Sequence, residues 1–341
     1  MLGITVPCLV QPTRKSETAL NVQLFLEQQP TRQTQKIKTL GQYIQQHPTG
    51  WKKRLELAEL LYKEGRWARA IEEYHQVIAR QPRLIQTRLK VGKLLQMLGQ
   101  AAEAIETYKQ ILPLCRHLAT KQHIQGLISA CSEEPTKAVR AFESAASLEP
   151  NNAAHWLALG QIQMSMQHEA AALAAFDRIL QLQPDDLVAL THSHDALWAL
   201  GEFEAAQVRL NQAEALAPCD YAVLKRQLAH RLRMKWIYGK AGKQTKQIMT
   251  AAVKLAPHSA EAHRLKAEYY CLREEWQKAQ EIWQQFTAEY KQNPQGWYYY
   301  ALFLLDKTDK QEAVKAISQA HQLDPQNLAI NQALHQISPA E

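Results

Sequence analysis

The sequence predicts an all-α fold, an array of repeated antiparallel helix pairs, on three observations. Glycine is scarce, 12 in 341 residues, roughly half the usual ~7%, which disfavours turn-rich sandwiches and glycine-rich phosphate loops. Pro48, Pro82, Pro150, Pro184 and Pro218 fall on a 34-residue ladder with one step doubled. Ala70, Ala104, Ala138, Ala172 and Ala206 keep the same interval, as do Ala279 and Ala313, and a row of larger residues follows four positions later: Tyr74, Tyr108, Phe142, Phe176, Leu210, Trp283 and Ile317. Three rows on one period define a repeat array.

Residues 1–20 read as a poorly ordered N-terminal arm. Its apolar stretch, Met1 to Val10, is broken by Pro7, lacks a preceding basic residue and is too short to span a bilayer. A frayed terminus is expected, with docking on a partner or membrane as the alternative. Residues 21–50 form a partial repeat in which Leu40, Tyr43 and Ile44 share a helical face ahead of Pro48. Residues 51–327 hold eight units, starting near Trp51, Ile85, Ala119, Ala153, Leu187, Tyr221, Ala260 and Trp297. Within the unit 151–184, Trp156, Leu159, Ile162 and Met166, then Ala172, Phe176, Ile179 and Leu180, recur at helical spacing and predict two amphipathic helices. The alanine lets the second helix approach the first, where Ala58, Gly92, Gly126, Gly160 and Ala267 are small, and the large residue one turn later fills the space beside it. Gly65, Gly99 and Gly201 are expected to end first helices at positive φ, and the proline stops the second helix. In residues 328–341, Leu328 to Ile337 reads as a closing helix.

The run Pro150-Asn151-Asn152 with Trp156, Leu159, Gly160, Ala172, Phe176 and Pro184 resembles the tetratricopeptide repeat pattern. The resemblance covers roughly residues 30 to 337. It implies an α-α superhelix, a right-handed solenoid, whose first helices line a concave, partner-binding face. The family's best-known use of that face is a clamp of Lys, Asn and Arg on the terminal carboxylate of a chaperone tail; here the asparagines are absent and Glu59 and Leu89 stand at matching places, so that activity is not expected. Other departures are Arg116 where proline belongs, with Pro113 just before it, and His194 where a small residue belongs. Five extra residues fall between Ala206 and Ala279, placed by the pattern between Tyr221 and Ile248. The unit from Ala260 ends late, at Pro294, and the next has a shortened inter-helix turn at Thr308 to Lys310.

The net charge of +7 is unevenly spread. Between Tyr221 and Ala260 there are nine basic residues and no acidic one, so the rest of the chain sums to 7 − 9 = −2. Lys225, Arg226, Arg231, Arg233, Lys235, Lys240, Lys243 and Lys246 form the expected basic patch, with the insertion as a loop carrying Lys240, Lys243 and Lys246 beside Trp236 and Tyr238. A second acid-free window runs from Lys36 to Arg54. Such a patch attracts an acidic protein, a nucleic acid or an anionic surface.

No nucleophile elbow, Walker loop, dinucleotide fingerprint or His-Glu-x-x-His run occurs, so a non-enzyme without cofactor is expected. In His192-Ser193-His194-Asp195 the two histidines are two apart on a helix and diverge, which argues against a metal site; His194 is expected to pack and His192 to face solvent. Five scattered cysteines without a Cys-x-x-Cys pair suit a reducing, cytoplasmic setting. Trp51, Trp67, Trp156, Trp276 and Trp297 are expected in the core.

Helical spacing assigns Lys52, Glu59, Tyr62, Gln86, Lys93, His123, Gln161, Thr191, Asp195, Trp198, Lys225, Arg264 and Glu268 to the concave face as partner-binding candidates. The expected function is a non-catalytic adaptor that binds another protein, as an extended peptide or helix in the groove, through the basic unit, or both. The alternative is a nucleic-acid-associated repeat, less favoured because only Tyr221, Trp236 and Tyr238 interleave the basic unit.

Overall fold

The computed structural model describes residues 35–306, 310–325 and 327–337, and among them there is no strand. The N-terminal arm and the start of the partial repeat in residues 1–34, the shortened turn at 307–309 and the tail 338–341 lie outside the described residues. Helix α1 spans 35–46. The first three pairs are α2 (Trp51–Lys63) with α3 (Trp67–Arg80), α4 (Ile85–Met97) with α5 (Ala101–Lys109), and α6 (Leu118–Cys131) with α7 (Pro135–Leu148). Then come α8 (Ala153–Ser165) with α9 (Glu169–Leu182), α10 (Leu187–Ala199) with α11 (Phe203–Leu216), and α12 (Tyr221–Arg233) with α13 (Gly239–Leu255). The last pairs are α14 (Ala260–Leu272) with α15 (Trp276–Glu289) and α16 (Pro294–Asp306) with α17 (Lys310–Leu323), closed by α18 (Leu328–Ile337).

Three helix pairs, α4 with α5, α6 with α7 and α8 with α9, are locked by a ring set against a missing side chain. A Cβ on Gly92 would stand 2.3 Å from the Tyr108 ring, one on Gly126 2.6 Å from Phe142, and one on Gly160 2.4 Å from Phe176. Tyr108, Phe142 and Phe176 are buried, as are the alanines one turn before them. Unit five exchanges the sizes: His194 takes the glycine place, Leu210 takes the ring place, and both are buried. Units four to seven start alike, since Asn152, Asp186, Asp220 and Ser259 each follow a proline by two residues and accept a hydrogen bond from a first-turn N–H of the helix they open.

The turn between paired helices needs one residue at positive φ, and Gly65, Gly99 and Gly201 supply it at 71°, 74° and 82°. In unit four Gln167 does so at 59°, a conformation that costs a side-chain-bearing residue and not glycine. Gln167→Gly is therefore expected to stabilise the protein by about 0.5–1 kcal/mol. Denaturant unfolding checks this, and a destabilised variant would refute it.

The structure corrects several expectations. The five extra residues form no long loop: the turn 234–238 is two residues longer than the three-residue turn 166–168, and α13 has 17 residues against 14 in α9. The apolar positions Ile248, Met249 and Ala252 keep helical spacing, so the added length continues the helix and carries Lys240, Lys243 and Lys246 on it. Unit eight starts at Pro294, three residues before Trp297, because proline is acceptable in a first helical turn. Tyr43 leaves the α1 core face, which Ile37, Leu40 and Ile44 form, and stacks on His47 in solvent. The expected tryptophan core is only partial: Trp51, Trp67, Trp156 and Trp297 are half-buried and Trp276 is 40% exposed, whereas Trp283, in the ring row, is fully buried. The junction near Arg116 is irregular as expected, with α5 cut short and Pro113 inside a 3₁₀ turn, Leu112–Leu114.

The superhelix touches itself. The turn after α2 meets the turn after α13, where the His258 ring covers Gly65 so closely that a Cβ there would lie 2.2 Å from its Nδ1, and Trp67 meets the same ring edge-on at 5.4 Å. The turn after α4 meets the turn after α17, with the buried Asp324 carboxyl over Gly99. These two seams join units one and two to the ends of units six and eight.

Candidate partner-binding surfaces

Consecutive first helices are bridged by polar contacts at nearly constant register. Lys90 on α4 pairs with Glu59 on α2, and Lys225 on α12 with Glu261 on α14 at 2.9 Å. Gln161 on α8 meets His192 on α10 at 3.3 Å. Arg226 on α12 forks onto Asp195 on α10, with Nε 2.8 Å from Oδ1 and a second bond from the terminal nitrogen to Oδ2. Burial would raise the Asp195 pKa, but hydrogen bonds from His194 and Arg226 overcome it and hold it at about 2. His192 is lowered by burial first and then by Arg226, Lys225 and Lys93. These bridges run from first helix to first helix along one face of the array.

On that face Lys52, Gln86, Lys93 and Gln161 are exposed. Glu59, Tyr62, Lys225, Arg264 and Glu268 are half-buried; Arg264 and Glu268 pair with each other at 3.0 Å. His123 is half-buried as well, 3.0 Å by Nδ1 from His155 Nδ1, and burial together with His155 pushes its pKa down to about 4. It reaches a partner as a neutral ring.

Three groove candidates are engaged within the chain. Thr191 is buried, its hydroxyl donating to the carbonyls of Leu187 and Val188 in its own helix. Asp195 is spent on Arg226. Trp198, at the last turn of α10, stands at the inter-helix turn edge between Phe203 and His230. Among the basic residues, Arg226 is buried, Lys225 is paired, and Arg231 is half-buried, bonded to Thr245, Gln244 and the Ala241 carbonyl. The reason is common to all three: each lies on a face turned towards a neighbouring helix. Arg233, Lys235, Lys240, Lys243 and Lys246 are exposed. His192 is not solvent-facing but stacks on Phe176 at 5.2 Å. Among the described residues no group of three His, Cys, Asp or Glu is arranged to hold a metal.

Spacing did not expose the cation–π edge formed by consecutive inter-helix turns. The Arg233 guanidinium lies 5.0 Å from the Trp198 ring and 4.7 Å from Phe203, Arg231 lies 5.2 Å from Trp236, and Arg273 lies 5.3 Å from Tyr238. Recurrence of an aromatic or cation at the end of the first helix (Trp198, Arg233) was the available signal.

A superhelix of helix pairs with an inward polar face defines the class of helical-repeat scaffolds. The chain belongs to the tetratricopeptide repeat family: models described as tetratricopeptide repeat match residues 132–193, and 55–118 with 272–327. Such repeats are generally protein-interaction scaffolds and typically non-catalytic. A search of curated protein sequences found no match. The crystal structure of the APC/C hetero-tetramer Cut9-Hcn1 is similar with a TM-score of 0.59 and 14% identity over 95% of this chain, which spans 63% of that chain's length. MamA is similar at TM-score 0.32 and 23% identity over 49% of this chain and 92% of that one. YrrB, a TPR protein with an unusual peptide-binding site, is similar at TM-score 0.34 and 16% identity over 55% of this chain and 97% of that one. No helix among the described residues is long and apolar enough to cross a membrane.

Proposed function

We propose that the chain is a cytoplasmic, non-catalytic adaptor that holds an extended peptide or helix of another protein in its concave groove, with the basic unit 221–260 as a second contact. The observation that carries the groove is the row of polar bridges from first helix to first helix, Lys90 to Glu59, Gln161 to His192, Arg226 to Asp195 and Lys225 to Glu261. It supports one inner surface on which a linear ligand meets several units at once. The interhelical bridges fix the half-buried polar groups before a ligand arrives, which lowers the ordering cost of binding. Exposed Lys52, Gln86, Lys93 and Gln161 are then the groups free to contact it.

The test is affinity capture with mass spectrometry, with and without nuclease, using the native chain and a Lys93→Glu/Gln161→Arg variant. The expected result is a protein partner retained after nuclease and lost from the variant while the thermal melt is unchanged. Loss of all partners on nuclease treatment would favour the nucleic-acid alternative, and capture indifferent to the double variant would remove the groove from the reading.

A further inference from the structure

We propose that the inter-helix turn edge of units five to seven docks an acidic segment of another protein, one carrying carboxylates around one or two large apolar side chains. The proposal rests on the scaffold reading above but not on the groove.

Exposed apolar surface is concentrated here. Leu200 is 39% exposed, Met234 52%, Trp236 40% and Tyr238 63% on the turns after α10 and α12, and Phe203, which opens α11, is 42% exposed. Clusters of aromatics and arginine on an exposed apolar patch have the composition of interface hot spots. The edge is also open. The corresponding turns of units one and two are covered by the seams at His258 and Asp324, but no such seam covers Gly201 or Gly239, where nothing lies within 4 Å of an added Cβ.

Charge selects the occupant. Between Tyr221 and Ala260 there is no Asp or Glu; exposed Arg233, Lys235, Lys240 and Lys243, with Arg231 and Arg273, outnumber Glu202, Glu204, Glu274 and Glu275 at the adjoining turns. Arg273 has its own carboxylate in Glu275, at 2.6 Å, whereas among the described residues no carboxylate pairs with Arg233. Arg233 is nonetheless held in place by the Trp198 and Phe203 rings. With no carboxylate of the described residues on it, this guanidinium keeps N–H donors for an incoming carboxylate, which it can meet bidentately. The same stacking argues against single-stranded nucleic acid, because base stacking needs free ring faces. Here Trp198 carries Arg233 and stacked His194, Trp236 carries Arg231, and Tyr238 carries Arg273. Residues 1–34 of this chain are the wrong occupant by charge, since Arg14, Lys15 and Arg32 outnumber Glu17 and Glu27.

Three fluorescein-labelled probes test this by anisotropy: a peptide of Asp and Glu around one Leu and one Phe, the same peptide with Asn and Gln for its acids, and an oligouridine. The proteins are the full chain, Arg233→Gln/Trp236→Ala, Arg233→Gln alone in case the double variant melts early, Lys93→Glu in the groove, and a chain lacking residues 1–34. The acidic peptide is expected to bind the full chain, to bind about tenfold more weakly to the edge variants, and to weaken as ionic strength rises towards ~0.15 M. Lys93→Glu and removal of residues 1–34 should leave its affinity unchanged, and the neutral peptide should not bind. The proposal is overturned if the acidic peptide fails to bind, if the edge variants bind it as well as the native chain, or if oligouridine binds tighter and is lost from the edge variants. It is also overturned if affinity rises on removing residues 1–34, which would make that segment the occupant. Peptide binding lost only in Lys93→Glu would leave the scaffold and its groove standing while ending the edge proposal.

Discussion

Replacing Phe176 by Ala is expected to cost about 3–5 kcal/mol, because the ring is fully buried and its neighbour Gly160 contributes no side chain to close the cavity. The converse change is costly too. A Cβ on Gly160 would lie 2.4 Å from the Phe176 ring, and Gly160→Ala should cost about 1–3 kcal/mol through overpacking, even though Ala is the better helix former. Unit five shows the compensation, with a larger residue at His194 facing a smaller one in the Leu210 row. Gly160→Ala/Phe176→Leu should therefore be less destabilised than the sum of its single variants. A double-variant cycle by denaturant unfolding measures this coupling, and strict additivity would mean that the two positions do not pack as a pair.

The second large effect is expected at Asp195. Arg226 is 7% exposed and the Asp195 carboxylate is its partner, so Asp195→Ala strands a buried cation and should cost about 2–3 kcal/mol, below the usual 3–5 because water reaches the carboxylate side. Asp195→Ala/Arg226→Met should recover most of the loss, since a buried pair is replaceable by apolar packing. The pH dependence has a definite sign. The folded pKa of Asp195, about 2, lies below its ordinary 3.8, so its contribution is present above about 3.8 and fades as the pH falls towards 2. Acid unfolding of the native chain should be steeper across this window than that of the double variant, and identical acid profiles would refute the pairing as a source of stability.

These two sites mark what the sequence made legible. Gly160 and Phe176 were readable because the repeat forces every unit to solve one contact with residues at fixed offsets, and the period brings both partners into view. Thr191 and Arg226 were misassigned because spacing gives a residue's angle on its own helix and not which neighbour that angle meets. Trp198 went to the groove for the same reason, although its position in the last helical turn favoured the edge. The insertion in unit six was correctly counted but not shaped: α13 absorbed three of the five residues because its apolar spacing runs on without a break. His258 and Asp324 offered no signal at all, since their contacts with Gly65 and Gly99 depend on the pitch accumulated over roughly six units.

An ordinary repeat array behaves as a row of beads coupled only to nearest neighbours, so either end frays without the other end responding. The seams at Gly65 and Gly99 change that connectivity. They give units one and two neighbours at the ends of units six and eight, and the row acquires something close to a periodic boundary. The thermodynamic penalty is small, because the entropy of closing a loop grows only logarithmically with its length. The kinetic penalty is larger, because contacts between residues so distant in sequence form late. A perturbation at one end is thereby felt at the other by a route that bypasses the middle of the chain, and fraying of the last helices releases the first turns instead of leaving them indifferent.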